Sequence, residues 1–146
     1  AAARTRSEGM TMLVDASGLI ACIDRSDPAH GACTSVIATR RDPVSTTWAA
    51  LTECLHILRR DLGQPGHGVV LELVERGVVA IVELDGDAIA SIAARMRRYA
   101  DAPMDLADAT LVEAAERTGD VEILTLDGHF HAYRLSRGRR LRVLPS

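Results

Sequence analysis

Short apolar runs suited to strands alternate with stretches of helical periodicity along the whole chain, and this alternation restricts the fold more than any other feature. Met12-Leu13-Val14 is such a run, and the spacing turns helical directly after Asp15, at Ala16-Ser17-Gly18-Leu19-Ile20-Ala21-Cys22-Ile23. Asp27-Pro28-Ala29 opens a second helix that reaches about Arg40, since proline suits a first helical turn. Val44 to Thr47 reads as a short strand leading into a helix from Trp48 to Arg60, which stops near Gly63 and has Leu51, Leu55, Leu58 and Leu62 as its core stripe. After a break at Gly63-Gln64-Pro65-Gly66, a helix is expected from Val69 to Arg76 and a fully buried strand from Val78 to Val82. An amphipathic helix from Asp87 to Tyr99, a helix from near Asp105 to Arg117 closed by Gly119, and strands from Glu122 to Leu126 and Leu141 to Leu144 complete the pattern. Strands joined through helices pair in parallel, so the expectation is an α/β domain with a mostly parallel sheet and helices on both faces.

The chain has 146 residues, enough for one domain with a core that needs no staples. Cys22, Cys33 and Cys54 are odd in number and show no CxxC spacing, which argues against a disulfide framework and against a zinc site. A reducing cytoplasm is the expected setting. No apolar stretch approaches the length of a membrane span, and residues 1–9 lack the apolar core of a signal peptide. Residues 1–11 are therefore expected to be a disordered or expression-derived segment, with the domain occupying 12–146. There is no lysine, which excludes Schiff-base chemistry and a GxxxxGK[ST] phosphate loop. From His129 to Ser146 stand Arg134, Arg137, Arg139, Arg140 and Arg142 and no acid, although the formal net charge is −3. That asymmetry suits a nucleic-acid or acidic-partner contact and equally a solvated basic edge.

Asp15 and Asp127 each close a predicted strand, so in a parallel sheet both carboxylates emerge at the carboxyl edge, where α/β proteins place their chemistry. Asp15 is also a good helix N-cap, and Asp127 precedes Gly128 in an ordinary turn dipeptide. Asp105 and Asp108 share one helical face, yet Asp105 has the capping position and both favour the helix dipole. Glu53 has Ala49, Ala50 and Ile57 as its helical neighbours, which places a charge on an apolar stripe and demands a partner for it. One arrangement accounts for all these positions together: carboxylates gathered at the sheet edge, whose mutual repulsion is relieved by a divalent cation that takes hard oxygen ligands. Ser17 and Thr125 lie two residues from Asp15 and Asp127 and suit hydrogen bonds that orient a carboxylate or a metal-bound water. His129 and His131 fit no metal motif and are expected to be structural or solvent-facing.

The series Leu13-Val14-Asp15-Ala16-Ser17, Leu51-Thr52-Glu53, Asp105-Leu106-Ala107-Asp108-Ala109-Thr110-Leu111 and Leu124-Thr125-Leu126-Asp127-Gly128-His129-Phe130 resembles the PIN-domain ribonucleases, specifically their VapC-type toxins. The resemblance implies a Rossmann-like three-layer α/β/α sandwich, dependence on Mg²⁺ or Mn²⁺, cleavage of RNA, inhibition by a cognate antitoxin, and homodimers. It also implies that Asp15, Glu53, Asp108 and Asp127 are the catalytic acids, that they and Asp105 supply the metal ligands, and that Arg134 contacts RNA. Where the family often carries a further acid two residues past the last one, this chain has His129. An RNA-processing nuclease without an antitoxin and a catalytically silent binding module are the alternatives, and the complete acidic set argues against the second. A haloacid-dehalogenase-type phosphatase needs a DxD pair and a lysine, whereas Ser17 stands two residues after Asp15 and lysine is absent.

Overall fold

Five three-residue strands, all paired in parallel, form one sheet in the order β3-β2-β1-β4-β5 in the computed structural model, which describes residues 11–146. In chain order the elements are β1 (Met12–Val14), α1 (Ala16–Ile23), α2 (His30–Ala38), β2 (Val44–Thr46), α3 (Trp48–Leu62), α4 (Gln64–Glu75), β3 (Val79–Ile81), α5 (Ala88–Arg98), α6 (Leu106–Thr118), β4 (Glu122–Leu124) and β5 (Arg142–Leu144). Two 3₁₀ turns, Gly128–His131 and Ser136–Gly138, connect the last two strands. The first strand lies at the centre, with Leu13 opposite Ser45 on one side and Ile123 on the other. The strand order reverses between β1 and β4, and an open parallel sheet leaves a crevice outside the strand ends at such a reversal.

Side-chain alternation along the central strands divides the core into two layers. Leu13 and Ile123 face one side and pack with Ala109, Leu111 and Val112 of α6 and with Phe130 and Tyr133. Met12, Val14 and Leu124 face the other and meet Leu19, Cys33, Leu51, Cys54 and Leu58. Complete burial of a side chain such as Leu13 contributes roughly 1.5–3 kcal/mol. The α/β/α sandwich is therefore the fold, as expected. The close fit has one steric condition: a Cβ on Gly18 would sit 2.5 Å from the Leu124 carbonyl oxygen and 2.9 Å from a Val14 methyl, so α1 lies directly against β1 and β4.

Several boundaries differ from the sequence expectation. Strand β3 is an edge strand and is not fully buried, with Ala80 and Ile81 only partly covered and Val78 46% exposed. Leu62 is 44% exposed, and Cys54 fills the buried place on α3 instead. No loop spans 63–66: Gly63 alone, at φ 74°, ends α3 and begins α4, and Pro65 falls in the first turn of α4. Strand β4 stops at Leu124, so Asp127 lies in the loop beyond it. Thr11 hydrogen-bonds Asp120 and thus belongs with the domain, whereas the expectation for residues 1–10 lies outside the described residues. Among the described residues the three cysteines are free, and no helix is long and apolar enough to cross a membrane.

Candidate active site

Asp15 follows β1 and caps α1. Its Oδ1 accepts from the Gly18 amide at 2.9 Å and the Ser17 hydroxyl at 2.7 Å, while Oδ2 accepts from the Thr125 hydroxyl. Ser17 Oγ also accepts from the Leu126 amide at 2.9 Å, and Thr125 Oγ1 accepts from the Asp127 amide at 2.9 Å. These two hydroxyls fix Asp15 and the backbone leading to Asp127 in one network. Burial pushes the Asp15 carboxyl upward, and the three donors draw it back.

Asp108 stands one turn inside α6 and is buried. Asp105 caps that helix, its Oδ1 accepting from the Asp108 amide at 2.8 Å, while Asp108 Oδ2 accepts from the Asp105 amide at 3.4 Å and from the Tyr133 hydroxyl at 3.1 Å. Burial first, and repulsion from Asp105 second, push the Asp108 carboxyl up to about 7. Asp127 caps the 3₁₀ turn after β4, with Oδ1 held by the His129 amide and by His129 Nδ1, each at 2.9 Å.

Glu53 departs from its expected environment. Its carboxylate does not lie on a buried apolar stripe: the residue is exposed, because α3 runs across the mouth of the site with Ala50 and Cys54 facing the core. Among the described residues no hydrogen-bond donor or ion-pair partner reaches it. Partial desolvation, then Asp105, Asp15 and Asp127, raise its pKa.

Asp15, Glu53, Asp105, Asp108 and Asp127 line one cavity of about 270 Å³ at the carboxyl end of the sheet, together with Ser17 and Leu126, and none of the lining residues is basic. Asp27 also lines it, a residue that the strand-edge argument missed because its local role, accepting from the Ala29 amide ahead of α2, is an ordinary turn. Among the described residues the absence of cations is specific to this place. The other two buried acids have arginine partners: Glu122 at the amino end of β4 binds Arg40 through bonds of 2.7 and 3.1 Å, and Glu113 binds Arg95 and Arg117, both at 3.1 Å. Asp15 and Asp108 have hydroxyl and amide donors but, among the described residues, no basic partner.

Glu53 accepts no hydrogen bond from the described residues, nor do the second oxygens of Asp105 (Oδ2), Asp108 (Oδ1) and Asp127 (Oδ2). This donor set is all carboxylate oxygen and uncompensated, which fits a hard divalent ion such as Mg²⁺ or Mn²⁺ and not a soft one. Among the described residues no three such side chains already stand as a closed ligand set, so the fit rests on donor chemistry and charge.

Arg134 lies outside the cavity lining. Its Nη1 donates to the carbonyls of His131 at 2.7 Å and Tyr133 at 3.1 Å, closing the 3₁₀ turn. Of the remaining basic residues near the C-terminus, Arg139 pairs with Glu116 and Arg142 with Glu122, while Arg137 and Arg140 are exposed. His131 is exposed, and His129 serves Asp127. Tyr133 was not legible as a partner of Asp108, since no spacing rule relates residues 25 positions apart.

A model of the PIN domain family matches residues 12–135. The chain is 29% identical over 135 residues to ribonuclease VapC26 of Mycobacterium tuberculosis, covering 92% of this chain and 100% of that protein. Its structure is similar to the crystal structure of VapC20 from M. tuberculosis, described as a toxin that cleaves the sarcin-ricin loop, with a TM-score of 0.77, 21% identity, and coverage of 84% of this chain and 94% of that one.

Proposed function

The chain belongs to the PIN domain family, and on that premise we propose that it is a divalent-metal-dependent ribonuclease, the toxin of a VapBC-type toxin–antitoxin pair. The observation that carries the reading is the contrast in charge pairing: among the described residues, buried acids elsewhere are matched by arginine, whereas those at the sheet reversal share a cavity without any basic lining residue. Unmatched carboxylates held in a desolvated cavity are unfavourable for folding and useful to a cation-dependent site. Relatives named a ribonuclease and an RNA-cleaving toxin support the substrate class.

In this reading Asp15, Asp108, Asp127, Glu53 and Asp105 hold Mg²⁺ or Mn²⁺. The bound ion supplies an acidified water and charge that offsets the phosphoryl oxygens. Asp15 is the rigid member, since three donors fix its orientation. Glu53 is the free member: it faces the cavity with no donor among the described residues, so its carboxylate is available to ligate the ion or to position the attacking water. Ser17 and Thr125 keep Asp15 and the Asp127 backbone in register. Arg134 contacts the RNA backbone from beside the cavity. The protein acts in the cytoplasm, as a homodimer that a cognate antitoxin neutralises.

The test is hydrolysis of RNA by purified protein, with Mg²⁺ or Mn²⁺, after removal of metal by chelator, and after its return. Activity should vanish and recover. Full cleavage in excess chelator would contradict the proposal, and a neighbouring antitoxin gene whose product blocks cleavage separates a toxin from an RNA-processing enzyme.

A further inference from the structure

The hydroxyl of Tyr133 reaches Asp108 from inside the core, and no local pattern in the sequence requires that contact. The residue is completely buried. Its ring lies edge-on to Tyr99 and to Phe130, each with centroids 5.2 Å away, at interplanar angles of 65° and 77°. Rings packed in this way have little freedom to swing, so the hydroxyl is a fixed donor. It donates to Asp108 Oδ2 at 3.1 Å, the same oxygen that faces the Asp105 amide, and leaves Oδ1 without a donor among the described residues. The chain reaches Tyr133 through the 3₁₀ turn that Asp127 caps, so one rigid ring links the third acid to the loop carrying the fourth.

We propose that Tyr133 is a positioning residue for the metal-dependent site: by holding Oδ2 of Asp108 it presents Oδ1 to the cavity and fixes Asp108 relative to Asp127. The inference rests on the ribonuclease reading above. A hydrogen bond behind a ligating carboxylate orients it, and removing such a bond typically weakens metal affinity or activity by about 10- to 100-fold.

Tyr133→Phe removes the hydroxyl and keeps the ring contacts. Tyr99→Phe is the matched control, because its hydroxyl lies in the same aromatic cluster but accepts from the Arg134 amide at 3.0 Å. Titration of metal-free protein with Mn²⁺ should give about tenfold weaker binding for Tyr133→Phe and unchanged binding for Tyr99→Phe. In an Asp108→Asn background the Tyr133 change should add nothing, since its only route to the ion has gone. With RNA, kcat should fall and KM should hold. In wild type, Mn²⁺ should also perturb the tyrosine ultraviolet difference spectrum, a signal that persists in Tyr99→Phe, so the proposal is tested even if Tyr133→Phe fails to fold. Wild-type affinity in a folded Tyr133→Phe, an equal loss in the Asp108→Asn background, or no tyrosine signal in wild type would overturn it. Failure of the wild type to bind Mn²⁺ at all would remove the metal-dependent reading as well, which separates the two claims.

Discussion

Asp105 and Asp108 cap one another: each carboxylate accepts from the other's backbone amide, at 2.8 Å from the Asp108 amide to Asp105 and 3.4 Å from the Asp105 amide to Asp108. The geometry is reciprocal but the environments are not, because Asp105 is exposed while Asp108 is buried beneath Tyr133. Asp108→Asn should abolish RNA cleavage with little loss of stability. Asp105→Asn still caps the helix and should leave measurable activity; Asn is the proper substitute, since losing a cap to Ala costs about 1 kcal/mol and would confuse folding with catalysis. Initial cleavage rates and melting temperatures of the two variants check this. A dead Asp105→Asn beside an active Asp108→Asn would reverse the assignment.

Asp108 also gives stability a pH dependence. Its carboxyl moves from 3.8 to about 7 in the fold. Below the unfolded value both states hold the proton; between the two values only the folded state does, so this contribution to stability is lost as pH rises from about 4 to about 7. Glu113 and Glu116 are shifted downward and act in the opposite sense, so the informative quantity is the difference between proteins. In chelator, Asp108→Asn should gain melting temperature relative to wild type as pH rises through that window, and a difference independent of pH would contradict the assignment.

Gly18 sets the distance between the two halves of the site. With the Leu124 carbonyl oxygen 2.5 Å from where a Cβ would stand, Gly18→Ala must push α1 away from β4 and open the link between Asp15 and Thr125. A loss of about 1–3 kcal/mol, typical of overpacking, is expected in chemical denaturation together with reduced cleavage. Unchanged stability and activity would mean that the contact relaxes freely.

Among the acids that line the cavity, Glu53 is the one whose replacement should leave the fold untouched, as it makes no hydrogen bond to the described residues and is exposed. Glu53→Gln should melt within about 2 °C of wild type, as surface changes away from special features fall within about ±0.5 kcal/mol, while kcat drops strongly. Parallel thermal and kinetic measurements decide it, and wild-type kcat would remove Glu53 from the reaction.

How much of this was legible in the chain depends on the distance over which each feature is encoded. Asp15 was readable because strand, cap and helix follow one another within a few residues, and the Asp105–Asp108 spacing carries its capping geometry locally. Glu53 was found for a partly mistaken reason: apolar helical neighbours indicated burial, but only the packing of α3 against the sheet reveals that its carboxylate projects over the cavity mouth. Strand β3 looked fully buried because an apolar run carries no information about strand order. The place of Asp27 in the cavity and the contact of Tyr133 with Asp108 came from tertiary contacts alone.

The most direct test is the chemistry of the cut ends. Water attacking phosphorus at a cation-bound carboxylate site, with departure of the 3′ oxygen, leaves 5′-phosphate and 3′-hydroxyl termini. Analysis of RNA cleaved by the purified protein in Mg²⁺ should find those ends, and they should be missing when Asp108→Asn replaces wild type. Products bearing 2′,3′-cyclic phosphate would show attack by the ribose 2′-hydroxyl and contradict the account.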